Sequence, residues 1–455
     1  MPPTLTRIPQ ADIEDHAIGA AHCGIVATFS AISIALSTST TSEPVTADRL
    51  LHKTSLGPLI DDVDGAASTV GLTEDGDGHI PHWQIVKARI VERLLQLHAT
   101  VRHGTFIGSK VKLPIDNTRP MELDLIGEHE GGIFILELKV DRGAERNAFS
   151  ELFAYSNYVA QMFAMSGPRD ITNVLVANLD AKITREAYLY DLLIGNRDVI
   201  VYKPVFADDS LESLRLQLHI PADEDFQHLT NRLLSEQSMA CIVGSFDDAP
   251  GWFDNREVDG ALNQHTRENL ERLSGHLAQL MEAEGLHGFC YVRKHWREVT
   301  LSDRSSLILC AVNPFKAADH DLSDPLLQQI DEDHRVSMFE AADFAFQDRL
   351  LVTMRRALED CLPHGHRFDR ETPARSGMVR SMIETVLTHN FGFHATGLFR
   401  EAYAANLSRL YERRAAGEDV DDVSTMKAIE LGNWLRAWMF IEACGFVGEN
   451  STRAD

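Results

Sequence analysis

The clearest pattern of hydrophobic and polar positions lies between residues 82 and 206. Apolar residues first recur at helical spacing, and short apolar or alternating runs then predict strands separated by helices. The predicted elements are a helix at 82–98, strands at 105–115, 121–129 and 132–140, a helix at 144–166, a strand at 171–179, a helix at 182–194 and a strand at 198–206. Gly131–Gly132 predicts a tight hairpin between the second and third strands. This order predicts an α/β domain with a mixed sheet flanked by helices.

The pattern is weaker on both sides of this region. The acidic, glycine-rich stretch 74–78 predicts a linker, and a break near 207–209 predicts the end of the α/β domain. Farther on, the sequence predicts a helix at 265–284, strands at 288–294, 297–301 and 306–312, and helices at 323–332, 338–361, 375–389, 396–415 and 424–444. The predicted domains are therefore 1–78 with no assigned role, 79–207, a mixed α+β region at 208–314 and a mainly helical region at 315–455.

Composition and charge narrow the classes of function. The chain has 455 residues and a formal net charge of −25, which argues against phosphate binding over its whole surface. Six cysteines are scattered without disulfide or zinc spacing, which favours a reducing compartment. The longest apolar stretch, 24–36, is too short and too polar to span a bilayer. The sequence thus predicts a cytoplasmic protein without a membrane segment.

Two acidic residues and a lysine mark the candidate chemistry. Asp124 lies in an alternating strand, and Glu137 and Lys139 project from one face of the next strand because they are two residues apart. The hairpin places these side chains together. Two carboxylates, with the Leu138 carbonyl, suit Mg²⁺ or Mn²⁺, which prefers oxygen ligands and retains waters. Lys139 is predicted to orient or activate an attacking water. A salt-bridged strand end in another α/β domain is the alternative interpretation.

These residues and the predicted order of elements resemble the PD-(D/E)XK nuclease superfamily, which includes restriction enzymes and RecB-like nucleases. Asp124 matches the first acid of the motif, and Glu137–Leu138–Lys139 matches its (D/E)xK part. The resemblance covers about residues 80–206. It implies a restriction-endonuclease-like core, catalysis by Asp124, Glu137 and Lys139, and a metal held by Asp124, Glu137 and Leu138. It also implies a further metal-site glutamate on the preceding helix, for which Glu92 is the matching residue.

The helix after the (D/E)xK motif resembles the QxxxY helix of RecB-like nucleases. Tyr155 matches the tyrosine, whereas Glu151 stands where that family has glutamine. The residues expected to contact nucleic acid are Lys110, Lys112, Arg119, Arg142, Arg146 and Tyr155. For the basic residues the alternative is ordinary solvated charge, and for Tyr155 it is packing.

The leading hypothesis is a Mg²⁺- or Mn²⁺-dependent nuclease that hydrolyses phosphodiester bonds, with DNA as the preferred substrate. The large additional region suggests a regulated endonuclease, such as a bacterial anti-phage or restriction effector, with a homo-oligomeric or protein contact through the helical C-terminal region. The alternatives are a DNA-repair nuclease, a non-catalytic nucleic-acid- or protein-binding module on the same fold, and a helical interaction protein with an α/β scaffold.

Overall fold

The computed structural model describes residues 55–60, 72–73, 81–113, 121–139, 145–163, 169–195, 197–207, 213–234, 236–254, 257–258, 261–294, 304–319, 325–362, 366–374 and 390–418. Within these ranges, two sheets are flanked by helices, as the predicted α/β class requires. No helix in these ranges is both long and apolar enough to cross a membrane. The predicted strand at 297–301 and the predicted helices at 375–389 and 424–444 lie outside the described residues.

The first sheet and its helices span residues 82–233. The elements are α1 His82–Arg102, β1 Thr105–Leu113, β2 Met121–His129, β3 Gly132–Lys139, α2 Ala148–Gln161, β4 Ile171–Ala177, α3 Lys182–Tyr190, β5 Val199–Phe206, β6 Leu214–Leu218 and α4 Asp223–Leu233. The spatial order of the strands is the same as their order along the chain. Strands β3, β4 and β5 run parallel, and the other neighbours are antiparallel. The prediction of a mixed sheet is confirmed.

The parallel strands form the centre of this sheet. Every residue of β4 is buried, and the last six residues of β3 are buried. Such continuous burial is typical of parallel strands covered on both faces. Helix α2 packs against β3 and β4, and α1 packs against β5, α4 and a later helix. The charged residues at the end of β3 therefore lie in an apolar environment, where a charge is costly unless it is paired.

The boundaries differ from the predictions in several places. Helix α1 continues to Arg102, whereas α2 occupies only Ala148–Gln161. Helix α3 ends at Tyr190 and continues as a wider, π-helical turn over Asp191–Gly195. The hairpin turn consists of Glu130 and Gly131, because His129 already pairs with Gly132.

Strand β6 was not predicted from the sequence. It pairs with β5 beyond the predicted break at 207–209, and its alternating sequence LRLQL shows an alternating burial pattern. Its Leu216 also bridges to Ile60, one of the few described residues of the N-terminal region. The first sheet therefore continues past residue 207.

The second sheet contains five antiparallel strands. They are β7 Met239–Ser245, β10 Gly288–Arg293, β11 Ser306–Val312, β12 Arg370–Ala374 and β13 Asn390–Thr396, in the order β12-β7-β11-β10-β13, while β8 Glu257–Val258 and β9 Ala261–Leu262 form a separate ribbon. Its helices are α5 Gln264–Ala283, α6 Pro314–Asp319, α7 Glu332–Cys361 and α8 Gly397–Ala415. The predictions for β10, β11 and α5 are confirmed to within one residue.

The sequence did not predict strands β12 and β13 within the mainly helical region after residue 315. Both are edge strands of the second sheet, and their local patterns are weak. Pro373 interrupts β12, which is tolerated at an edge because no further strand needs its N–H. Gly392 has φ +60°, and a register shift in the β10–β13 pairing lies beside it. A single helical turn at Leu327–Gln329 replaces much of the predicted helix at 323–332.

The two faces of the second sheet bury different sets of side chains. Ile242, Val292 and Leu309 contribute to a cluster with α5 and α7. The opposite face, including Tyr291 and Cys310, joins the hydrophobic cluster of the first sheet. The two sheets are therefore connected through a shared apolar core.

Candidate active site

The pairing of β2 with β3 ends at the predicted site. The ladder runs from His129–Gly132 to Leu125–Leu136. At the next position, Asp124 Oδ2 accepts a hydrogen bond from the Leu138 N–H at 2.9 Å. A side-chain carboxylate thus replaces the backbone partner of β3, and the strands separate beside Asp124.

Lys139 connects the strand to the following helix. Its Nζ lies 2.8 Å from Glu137 Oε1 and 3.0 Å from Glu151 Oε2. Glu137 is 2% exposed and Lys139 is 9% exposed, although both lie at the C-terminal end of β3. The structure therefore brings Asp124, Glu137 and Lys139 together, as the spacing predicts. We call these three residues the acid–lysine site.

Burial disfavours the charged forms of both carboxylates of the acid–lysine site. Burial, followed by the charge of Asp124, raises the pKa of Glu137 to about 8, although Lys139 opposes the shift. Burial also raises the pKa of Asp124, against the hydrogen bond from Leu138 and the charges of Lys139 and Lys110. A cation between such carboxylates would restore their charged forms.

The hydrogen bonding of Glu137 leaves one oxygen for a cation. Oε1 accepts from Lys139, whereas the buried Oε2 has no hydrogen-bond partner. A buried, unpaired carboxylate oxygen is costly unless a cation or a donor satisfies it. In the described ranges, no group of three or more His, Cys, Asp and Glu side chains could hold a metal. Two carboxylates with a backbone carbonyl and several waters still fit Mg²⁺, which retains water and takes few protein ligands.

Lys110 lies on β1 across from Asp124. It falls between the pairs Ser109–Leu125 and Val111–Leu123 and has a left-handed backbone with φ +46°. Its side chain is exposed, and its charge lowers the pKa of Asp124. A non-glycine residue in this conformation costs energy and is concentrated at functional sites. The structure therefore places one predicted phosphate-binding residue beside the acid–lysine site.

The remaining predicted nucleic-acid contacts have different environments. Lys112 is exposed on β1, and Arg146 is exposed before α2. Tyr155 is 7% exposed, and burial together with the charges of Glu137 and Glu151 raises its pKa to about 12. This tyrosine thus packs in the core while lying close to the carboxylates. Arg119 and Arg142 lie outside the described residues.

The structure does not bring Glu92 to the acid–lysine site. Its carboxylate is exposed and pairs with Arg89 at 2.9 Å. The adjacent Arg93 hydrogen bonds to the carbonyl of Arg197, which precedes β5. Since β3, β4 and β5 are parallel, this contact lies towards their N-terminal ends, whereas the acid–lysine site lies at the C-terminal end of β3. Helix α1 packs on β5 through its buried face, and Glu92 lies on the exposed face of the helix.

The sequence pattern did not assign Glu151 to the site. It indicated only that a glutamate stands at a position where RecB-like nucleases have glutamine. In the structure its carboxylate forms an ion pair with the Lys139 ammonium at 3.0 Å. The spacing of Glu151 and Tyr155, one helical turn apart on α2, was the available signal.

Comparison of the chain with known protein families, curated proteins and solved structures finds no match. The function of the chain is therefore inferred from the geometry of the acid–lysine site.

Glu137 is expected to make the metal-free protein less stable as the pH rises. Its pKa in the folded protein is about 8, above the ordinary value of 4.5, so the folded protein retains a proton that the unfolded chain releases. This contribution is fully present below the ordinary pKa and is lost as the pH rises through the folded-state pKa. In EDTA, the decrease in melting temperature from about pH 5 to pH 8 should be smaller for Glu137→Gln than for the wild type. Thermal unfolding followed by circular dichroism measures this, and equal decreases would contradict it.

Proposed function

We propose that the protein is a metal-dependent nuclease that hydrolyses phosphodiester bonds, with DNA as the preferred substrate. The observation that carries the proposal is the buried Glu137 Oε2, which lacks a hydrogen-bond partner beside Asp124 and Lys139. The resemblance of Asp124 and Glu137–Leu138–Lys139 to the PD-(D/E)XK motif supports the same conclusion. The class of substrate follows from this chemistry, because hard cations next to lysines suit phosphate oxygens.

Asp124 and Glu137, with the Leu138 carbonyl, would hold Mg²⁺ or Mn²⁺ at the point where β2 and β3 separate. When bound, the cation lowers the pKa of a water and offsets negative charge on the phosphate. The Leu138 N–H fixes the orientation of Asp124, and Lys139 fixes Glu137 through Oε1. These contacts preorganise the oxygens before substrate arrives, which reduces the reorganisation needed for catalysis.

Lys139 and Lys110 supply positive charge on two sides of Asp124. Lys139 pairs with Glu137 at 2.8 Å and with Glu151 at 3.0 Å, and its ammonium is assigned to contact the attacking water or a phosphate oxygen when substrate binds. Lys110 and Lys112 are exposed on edge strand β1 and are assigned to neighbouring phosphates. Because the chain carries a net charge of −25, nucleic-acid contact is expected to be confined to this region. We propose that the protein acts in the cytoplasm as a regulated nuclease of a defence system.

A substrate panel tests the proposed function. Plasmid, single-stranded DNA and RNA are incubated with the full-length protein in Mg²⁺, in Mn²⁺ and in EDTA. Cutting in Mg²⁺ or Mn²⁺ but not in EDTA is expected, with plasmid among the substrates. Cutting that persists in EDTA would contradict a metal-dependent mechanism, and cutting of RNA alone would contradict the preference for DNA.

Glu151 is expected to position Lys139 rather than to bind metal. Glu151→Ala removes one of the two carboxylates that hold the ammonium, so we expect a decrease in cleavage rate of about tenfold. Glu151→Gln retains an oxygen acceptor and should recover most of the rate, while Mn²⁺ affinity stays unchanged in both variants. Glu186→Ala is the control, since Glu186 forms an exposed helical ion pair with Lys182 at 3.3 Å. Equal rates for the alanine and glutamine variants would contradict the positioning role.

A further inference from the structure

A cavity of about 290 Å³ lies between the helices of the two sheets. Its walls come from α1, from the π-helical turn after α3, from the α5–β10 connection and from the start of α8. We call it the junction cavity. Apolar side chains form part of its lining, namely Ile90, Leu192, Leu286 and Leu398. Gly285 also lines it in a left-handed conformation, and a Cβ there would have no atom within 4 Å.

A network of ion pairs crosses the rim of the junction cavity. Arg89 on α1 pairs with Glu92 at 2.9 Å and with Glu401 on α8 at 3.4 Å. Arg400 pairs with Glu401 at 3.2 Å and with Glu282 of α5 at 2.9 Å. The network thus connects a helix of the first sheet with two helices of the second. Each guanidinium has five N–H donors, so these pairs leave donors for a ligand.

Two further arginines, Arg93 and Arg169, line the cavity. Burial lowers the pKa of Arg93, and the charge of Arg169 lowers it further, whereas Asp198 opposes both. Asp198 lies 3.6 Å from Arg93 Nε, beyond hydrogen-bond distance, and this buried Nε has no hydrogen-bond partner. Because both guanidiniums line the same cavity, they favour the binding of an anion there.

The N-terminus of α8 does not provide the anion site. Its Gly397 N–H donates to Glu282 Oε1 at 2.9 Å, and its Leu398 N–H donates to His287 Nδ1 at 3.0 Å. These backbone donors are already satisfied by side chains that line the cavity. We therefore expect the arginines to bind an anion, because two N–H donors of one guanidinium can pair with two phosphate oxygens.

We propose that the junction cavity binds a small phosphate ester that carries a planar ring with apolar faces, such as a mononucleotide. The arginines, four in the lining, bind the phosphate, and the apolar wall contacts the ring. The cavity lies near the lower limit of typical ligand sites, which favours a small ligand. This site is separate from the acid–lysine site, and its existence does not depend on nuclease activity.

Calorimetric titration of the full-length protein tests the site. The probes are AMP and UMP, with adenosine and inorganic phosphate as the partial ligands. Saturable binding of at least one mononucleotide is expected, with both partial ligands weaker by about tenfold or more. Arg400→Gln should weaken mononucleotide binding by a similar factor. Arg413→Gln is the matched control, because Arg413 also lies on α8, is 41% exposed and pairs with Glu418 away from the cavity.

Three results would overturn this assignment. The first is that neither mononucleotide binds the wild-type protein. The second is equal binding of inorganic phosphate alone, which would remove the ring from the recognised chemistry. The third is equal affinity of Arg400→Gln and wild type, which would place the binding elsewhere. Because none of these readouts involves cleavage, failure here is distinguishable from failure of the proposed nuclease activity.

Discussion

Replacing Lys139 with alanine is expected to reduce metal-dependent cleavage by about 10³-fold or more. The ammonium pairs with both Glu137 and Glu151, and it is assigned to contact the attacking water or a phosphate oxygen. Its removal also leaves the Glu137 carboxylate without its hydrogen-bond donor in a buried site. The measurement is the initial rate of plasmid cleavage at saturating Mg²⁺.

The folding of the Lys139 variants must be measured, because this side chain is buried among carboxylates. Lys139→Met, which keeps an unbranched side chain only one atom shorter and without charge, is a second variant, and circular dichroism with thermal unfolding tests the folding of both. Lys182→Ala is the control, since Lys182 is 76% exposed and pairs only on the surface of α3 with Glu186. A folded Lys139→Met protein that cleaves at the wild-type rate would refute the assigned role.

Replacing Asp124 with alanine is expected to reduce the cleavage rate to a similar extent, by about 10³-fold or more. Asp124 is one of two carboxylates assigned to the cation, and its Oδ2 also anchors the Leu138 N–H. We expect the fold to persist, because the ladder of β2 and β3 already ends at Leu125–Leu136. The measurement is the cleavage rate across a range of Mg²⁺ concentrations.

A second acidic residue on β2 provides a control for the loss of one negative charge from this strand. Glu128 is exposed on β2 and pairs with Thr105 and Ile133 in the backbone register, away from the site. Glu128→Ala should therefore cleave like the wild type. If Asp124→Ala is folded and its rate is restored by high Mg²⁺ alone, Asp124 contributes only affinity. If its rate is unchanged at all concentrations, the site assignment fails.

The sequence predicts the first sheet well because its strands carry strong local signals. The continuous apolar run of β3 and the helical period of α1 need no tertiary context to be recognised. By contrast, β12 and β13 contain Pro373 and Gly392, and they become strands only because β7 and β10 offer paired backbone groups. Their edge positions come from long-range pairing that a local pattern does not contain.

The site is predictable to the extent that it depends on spacing within two adjacent strands. The hairpin fixes Asp124 beside Glu137 and Lys139, so their proximity follows from register. The placements of Glu92 and Glu151 depend instead on how α1 and α2 rotate against the sheet. Helix α1 presents Val86 and Leu94 to the core and leaves Glu92 exposed, whereas α2 brings Glu151 to Lys139. Sequence spacing alone does not determine these rotations.

Titration of the metal-free protein with Mn²⁺ examines the proposed metal site without substrate or activator. Wild-type protein, Asp124→Ala and the control Glu128→Ala are compared by calorimetry at one pH. We expect saturable binding by the wild type and by Glu128→Ala, and a loss of affinity of about tenfold or more in Asp124→Ala. Wild-type protein that binds no Mn²⁺, or Asp124→Ala that binds it as tightly as the wild type, would contradict the proposed metal site.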